Sequence, residues 1–203
     1  MKPCRQRWSW RRCEEVEQAA VSDIVPGTLL IAGPGLQDPN FRRSVILICE
    51  HSAEGSLGLV LNRPLRTPVS QVFPEVEHGD GLIHAGGPVD TNRVMALRRG
   101  GHIHETDQQV FESVRLVVSL DDAIAVVRET DGALDDFRFY VGYAGWGSGQ
   151  LDDELREGAW ITAPADERLV FSGSPGQVWR EALRSLGGDY QILAEMPLDP
   201  NMN

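Results

Sequence analysis

The chain has 203 residues, 41% hydrophobic and 24% charged, which suits one globular domain with a sizeable core and excludes wholesale disorder. Its formal net charge of -11 is uneven, because Lys2, Arg5, Arg7, Arg11 and Arg12 stand near the start and leave the remainder more acidic than the total. An acidic body is repelled by phosphate backbones, so no direct nucleic-acid binding by the folded domain is expected.

Residues 1–23 are predicted to be a poorly ordered basic extension. MKPCRQRWSWRRCEEVEQAA lacks both the apolar core of a secretory signal and a helical apolar stripe, and Trp8 and Trp10 therefore have nothing to pack on. No apolar run approaches the length of about 18 residues that crosses a bilayer, so a cytoplasmic protein without membrane contact is expected. Cys4, Cys13 and Cys49 are odd in number and lack C-x-x-C spacing, which fits a reducing compartment and offers no zinc site.

The stretch from Pro26 to Pro64 organises the rest of the chain. TLLIA, SVILIC and LGLVLN are short, β-branched or leucine-rich, bounded by Gly, Pro, Asn and Asp, and apolar at both parities. Strands of that kind are covered on both faces. GPGLQDPN forms a long turn between the first two, with Phe41 pinning it to the core and Arg42 and Arg43 at its base. HSAEGS links the second strand to the third as an antiparallel pair. Beyond them, Thr67 and Pro68 open a short helix, and LIHAGG and RVMALRR are strands joined by the turn PVDTN. GGHIHETDQQVFES reads as a loop or edge hairpin, and VRLVVSL as a buried strand leading into a helix capped by Ser119 with Asp122. DFRFYVGYAGW is a strand followed by the acidic helix GQLDDELREG. AWITA and RLVFS are further strands, and Ser174 and Pro175 open a last helix with the apolar stripe Val178, Trp179, Ala182, Leu183 and Leu186.

Gly145, Gly147 and Gly149 follow a strand and precede a helix, the order of phosphate-binding turns. Their G-x-G-x-G spacing departs from the dinucleotide fingerprint, no lysine follows, and Asp152, Asp153 and Glu154 already place negative charge in the helix. These glycines are read as close packing against Tyr143 and Trp146, and no cofactor is expected.

FRRSVILICEHSAEGSLGLVLNRP, HAGGPV and YVGYAGWGSGQLDDELREGAWITAPA, in this order across roughly residues 26–187, resemble the YqgE/AlgH family of bacterial cytosolic proteins. The resemblance implies an α/β fold, a single layered domain over 24–195 with a mixed β-sheet flanked by helices, followed by a C-terminal tail over 196–203. Family members are largely uncharacterised, and some carry the label of transcriptional regulator. No catalytic residues are agreed for them, so none carries over.

The residues themselves offer several sites. Cys49 and His51 share one face of an unbroken strand, but a cysteine beside Val45 and Leu47 reads as inert core. His102 and His104 form an H-x-H that His84 or Asp107 could extend; no motif fixes those further ligands, and no metal site is assigned. Arg43, Ser44, His51 and Asn62 could converge where strand ends meet a turn, with Trp146 on a second loop, and these five are the candidate ligand-binding residues. The favoured reading is a non-enzymatic binding or regulatory protein meeting a protein or small anionic ligand, because no nucleophile–base–orienter set is present. The alternative is a small hydrolase or transferase working near Arg43, Ser44, His51 and Asn62.

Overall fold

The computed structural model describes residues 24–76, 81–101, 105–130 and 132–196. The extension expected over 1–23, the H-x-H of His102 and His104, and all but Met196 of the tail expected over 196–203 lie outside the described residues.

The opening apolar runs become strands β1 (Thr28–Ala32), β2 (Val45–Ser52) and β3 (Gly55–Val60), paired antiparallel in that order. Their period of two divides the apolar side chains between two cores. Leu29, Ile31, Val45, Leu47 and Leu59 belong to one; Leu30, Ala32, Ile46, Ile48 and Val60 belong to the other. No polar face remains, which is why the sequence lacks alternation here.

The chain continues through β4 (Pro64–Pro68), the single turn α1 (Val69–Val72), β5 (Leu82–Ala85), β6 (Val89–Arg98), β7 (Gln108–Phe111) and β8 (Val114–Val117). Helix α2 (Leu120–Glu129) leads through a 3-10 turn (Ala133–Asp136) to the long strand β9 (Phe137–Gly147). Then come α3 (Gln150–Arg156), β10 (Trp160–Pro164), and helices α4 (Glu167–Val170), α5 (Pro175–Leu186) and α6 (Tyr190–Ala194). The Asp122 amide donates to Ser119 Oγ at 3.3 Å, the cap expected for α2.

Three local expectations are corrected. PVDTN is not a turn, because Val89–Asn92 run on as the start of β6 along β9, with a register shift between Val89 and Val94. Pro64–Pro68 forms a strand that its prolines concealed, paired with β5 only at Pro64 and Pro68. RLVFS is not a strand, because Asp166 accepts from the Arg168 amide at 2.8 Å and caps the short helix α4 instead.

The strands form one sheet in the order β10-β1-β2-β3-β9-β6-β8-β7, with β5 beside β9 and β4 beside β5. The β5–β9 pair is parallel and the other pairs are antiparallel, so the sheet is mixed as expected. The layered arrangement expected is corrected: the sheet dominates and curls into a half-barrel. Curling brings β7 over β1 and β2, where Gln108 Nε2 donates to Cys49 O at 3.3 Å and a Cβ on Gly27 would stand 2.7 Å from Phe111 Cβ. The first core fills the curl with Val178, Trp179, Ala182 and Leu183 of α5. The second lies against Trp146, Leu151 and Trp160, and a third joins Ala96, Val117, Phe137 and Phe139 to Ala123, Ile124 and Val127 of α2.

The motif HAGG has its reason in this topology. A Cβ on Gly86 would lie 2.2 Å from Gly142 O, and one on Gly87, 2.1 Å from Tyr143 C. Two backbones therefore cross in contact, and only glycine permits it.

Trp179 is 4% exposed and its indole N–H donates to Ala32 O at 2.9 Å, tying α5 to the end of β1. Trp179→Ala is expected to cost about 3–5 kcal/mol in chemical denaturation; a loss below about 1 kcal/mol would contradict this anchoring. His84, 2% exposed with Nδ1 3.1 Å from Leu82 O, is pushed down to about 4 by burial and then by the nearby Arg138 charge. Its ordinary value of 6.5 holds in the unfolded chain, which takes up a proton that the fold refuses as pH falls from 6.5 to 4. This group's contribution is therefore present above pH 6.5 and lost toward pH 4, to the extent of roughly 3 kcal/mol. Unfolding of His84→Gln measured across that range should lack that part of the slope.

Candidate functional site

The structure divides the five candidate residues between two ends of β2. Arg43 and Ser44 precede the strand and Asn62 follows β3 beside them, whereas His51 lies near the far end of β2, with Trp146 opposite Ser56 on the neighbouring strands. At about 3.3 Å per residue, some 20 Å of strand separates the groups. His51 is therefore not brought together with Arg43, Ser44 and Asn62.

At the first end, Asn62 acts as a clamp. Its Nδ2 donates to Arg43 O at 2.8 Å and its Oδ1 accepts from the Val45 amide at 3.0 Å. The clamp holds Arg43 at φ 55, a left-handed conformation that a non-glycine residue adopts only when its surroundings insist. Ser44 is fully buried and its Oγ has no partner among the described residues, so this hydroxyl belongs to the core rather than to a surface. The Arg43 guanidinium lies 4.6 Å from the centre of the Trp179 ring and donates to Met196 O.

Further arginines gather around it. Arg63 Nη2 donates to Arg42 O at 2.5 Å, and Arg180 Nε donates to Ala194 O at 3.3 Å. Burial, then Arg180 and Arg42, lower the Arg43 pKa; burial, then Arg42, lower that of Arg63. Glu195 feels the charge of Arg180 but is itself ion-paired with Arg184 at 2.5 Å. Arg42, Arg43, Arg63 and Arg180 thus concentrate positive charge at the base of the 33–43 turn. Arg42 and Arg43 are legible in the sequence, and Arg63 adjoins the Asn62 already selected. Arg180, on a distant helix, has no sequence signal.

At the other end the register shifts between Ile48 and Glu50, which makes Cys49 an extra residue. Glu50 then pairs with Leu57 and His51 with Ser56, so the expected alternation breaks and His51 leaves the face that holds Cys49. The thiol is fully buried and burial pushes its pKa up, so it stays protonated and inert. His51 Nδ1 and Ser56 Oγ are hydrogen-bonded at 2.8 Å. The two residues line both an open groove of about 800 Å³, with Trp146 and Tyr143, and an adjoining cleft of about 230 Å³. Arg43, Ser44 and Asn62 line neither.

Trp146 is tied into the core. Glu154 Oε2 accepts from both Trp146 Nε1 at 2.9 Å and Trp160 Nε1 at 2.7 Å, and the rings meet edge to face at 6.2 Å. Of the three acidic residues near the start of α3, Glu154 therefore binds indoles, while Gly145 packs against the Tyr143 ring at 3.2 Å for a Cβ position. Glu154→Leu should leave two buried N–H donors unpaired and cost about 2–4 kcal/mol, measured by denaturant unfolding with tryptophan fluorescence as the signal. An unchanged midpoint would remove the carboxylate from this role.

Among the described residues, no group of three His, Cys, Asp or Glu side chains is placed to hold a metal ion, and no helix is long and apolar enough to cross a membrane.

Comparisons with known proteins agree with one another. The AlgH-like family model matches residues 29–191. A UPF0301 protein of Chlorobium chlorochromatii is 37% identical over 180 residues, covering 89% of this chain and 96% of the relative. A UPF0301 protein of Streptomyces coelicolor is 39% identical over 182 residues, with 87% and 94% covered. The solution structure of AlgH from Pseudomonas aeruginosa aligns with a TM-score of 0.69 at 29% identity, covering 88% of this chain and 97% of that one. A crystal structure from Corynebacterium diphtheriae aligns with a TM-score of 0.73 at 24% identity, over 86% and 93%, and supports the fold alone. With 163 consecutive residues under one family model and relatives matched over nearly their whole length, this chain belongs to the AlgH-like, UPF0301 family.

Proposed function

We propose that the protein is a non-enzymatic binding protein whose 33–43 turn docks an acidic segment of a partner protein. The observation that carries this reading is the gathering of Arg42, Arg63 and Arg180 around Arg43 in a chain of net charge -11. An incoming carboxylate is attracted by every member of such a cluster. Arginine also presents a planar fork that matches carboxylate geometry. Arg42 is exposed at the base of the turn. The same charge distribution keeps the acidic remainder of the body away from nucleic acid.

The test uses Trp179 as a reporter, since its ring lies under Arg43. A hexaglutamate peptide should change the tryptophan fluorescence of the full chain, and the binding should weaken as salt rises. Arg42→Gln and Arg63→Gln should each weaken it about 3- to 10-fold, the size expected for loss of one charged contact. If both variants melt at lower temperature yet bind the peptide unchanged, the arginines are structural and the docking site is wrong. Equal capture of inorganic phosphate would replace the protein partner with a small anion.

A second reading is favoured by one observation, the 2.8 Å bond between His51 and Ser56. A small hydrolase would use Ser56 as nucleophile and His51 as base. Among the described residues no carboxylate is hydrogen-bonded to the other His51 nitrogen, so the orienting third group is lacking. Release of nitrophenol from p-nitrophenyl acetate that disappears in Ser56→Ala would move the assignment to this reading.

A further inference from the structure

We infer that a second site, separate from the arginine cluster and independent of its assignment, binds a small amphipathic monocarboxylate with an aromatic or branched apolar body. It is a cavity of about 810 Å³ between α1, the end of α2 and the start of β9, within the range of sites for small organic ligands.

The topology opens the cavity. β5 pairs with β9 only at Tyr140 and Val141, and β3 pairs with it only from Ala144 to Gly147. Among the described residues, the same edge of β9 from Phe137 to Phe139 has no neighbouring strand. Phe137 and Phe139 project to the α2 side with Val69 and Val127, which gives the cavity an apolar wall. Arg138, at the intervening position, turns from them to reach the carbonyls of Phe171 and Ser172, and Arg138, Phe171 and Gly173 line the cavity together with Phe137 and Phe139.

Charge decides the ligand class. Arg99 lines the cavity but is paired with Asp136 at 2.8 Å, and Arg128 is paired with Glu129 at 2.9 Å. Arg138 has no carboxylate within ion-pair distance among the described residues. One of its terminal nitrogens donates to Phe171 O and Ser172 O, each at 2.9 Å, which fixes the guanidinium without neutralising it. One oriented cation next to an apolar wall suits one anionic head on an apolar body. Glu75 and Asp135 also line the cavity and would repel a second negative charge, which favours a monoanion over phosphate esters and dicarboxylates.

The probes are 3-phenylpropionate and its uncharged counterpart 3-phenylpropanol, titrated into the full chain and followed by methyl NMR. The carboxylate should shift the methyl signals of Val69 and Val127 with saturation, and the alcohol should bind about tenfold or more weakly, the loss expected for one charge-assisted hydrogen bond. Arg138→Met should bring the carboxylate down to the affinity of the alcohol. Because that change also removes the tether to Phe171 and Ser172, Arg138→Lys is the companion variant: it keeps the charge and should retain a preference for the acid. Equal affinity for acid and alcohol, shifts confined to other methyl groups, or a preference for the acid that survives Arg138→Met would overturn the assignment. Phenylphosphate binding as tightly as phenylpropionate would overturn the monoanion.

Discussion

The burial of β1 and β2 on both faces is the constraint on which the rest of this structure depends. Leu29, Leu30, Ile31 and Ala32, then Val45 to Cys49, are fully buried, so these strands need apolar cover above and below. A flat sheet with helices on each side would supply it. Here the cover comes from the sheet itself on one side, as it curls until β7 meets β1 and β2, with α5 filling the curl. On the other side Trp146 and Trp160 supply it, their indoles held together by one carboxylate of Glu154. The long strand β9 carries both arrangements because its residues face different cores along its length.

Close backbone packing has a consequence at the centre of this sheet. Where Gly86 and Gly87 cross Gly142, side chains give way to direct main-chain contact, and β5 can join the edge of β9 for only two residue pairs. The edge below that crossing is left open, and the cavity beside Phe137 and Phe139 forms there.

Charge is distributed as unevenly in the fold as along the chain. Arg42, Arg43, Arg63 and Arg180 come from the long turn, the link between β3 and β4, and helix α5, and they meet because Trp179 draws α5 against the end of β1. The clamp from Asn62 fixes the backbone of Arg43 in a left-handed conformation, so the guanidinium over Trp179 is positioned by the core. Strain of this kind persists only where surrounding contacts outweigh it.

By itself the sequence determined the strands β1 to β3, the strand–helix order of β8 with α2 and of β9 with α3, the stripe of α5 and the family, because each rests on periodicity or on long contiguous motifs. Local chemistry was legible wherever one residue decided it, as with Ser119 capping α2 and Cys49 buried as an inert thiol. The curl of the sheet, the bulge at Cys49 that turns His51 to the other face, and the separation of His51 from Arg43, Ser44 and Asn62 were decided only by tertiary structure. The physical reason is register: pairing one residue out of step reverses every side chain beyond it, and that step depends on partners such as Gln108 that lie far away in the chain.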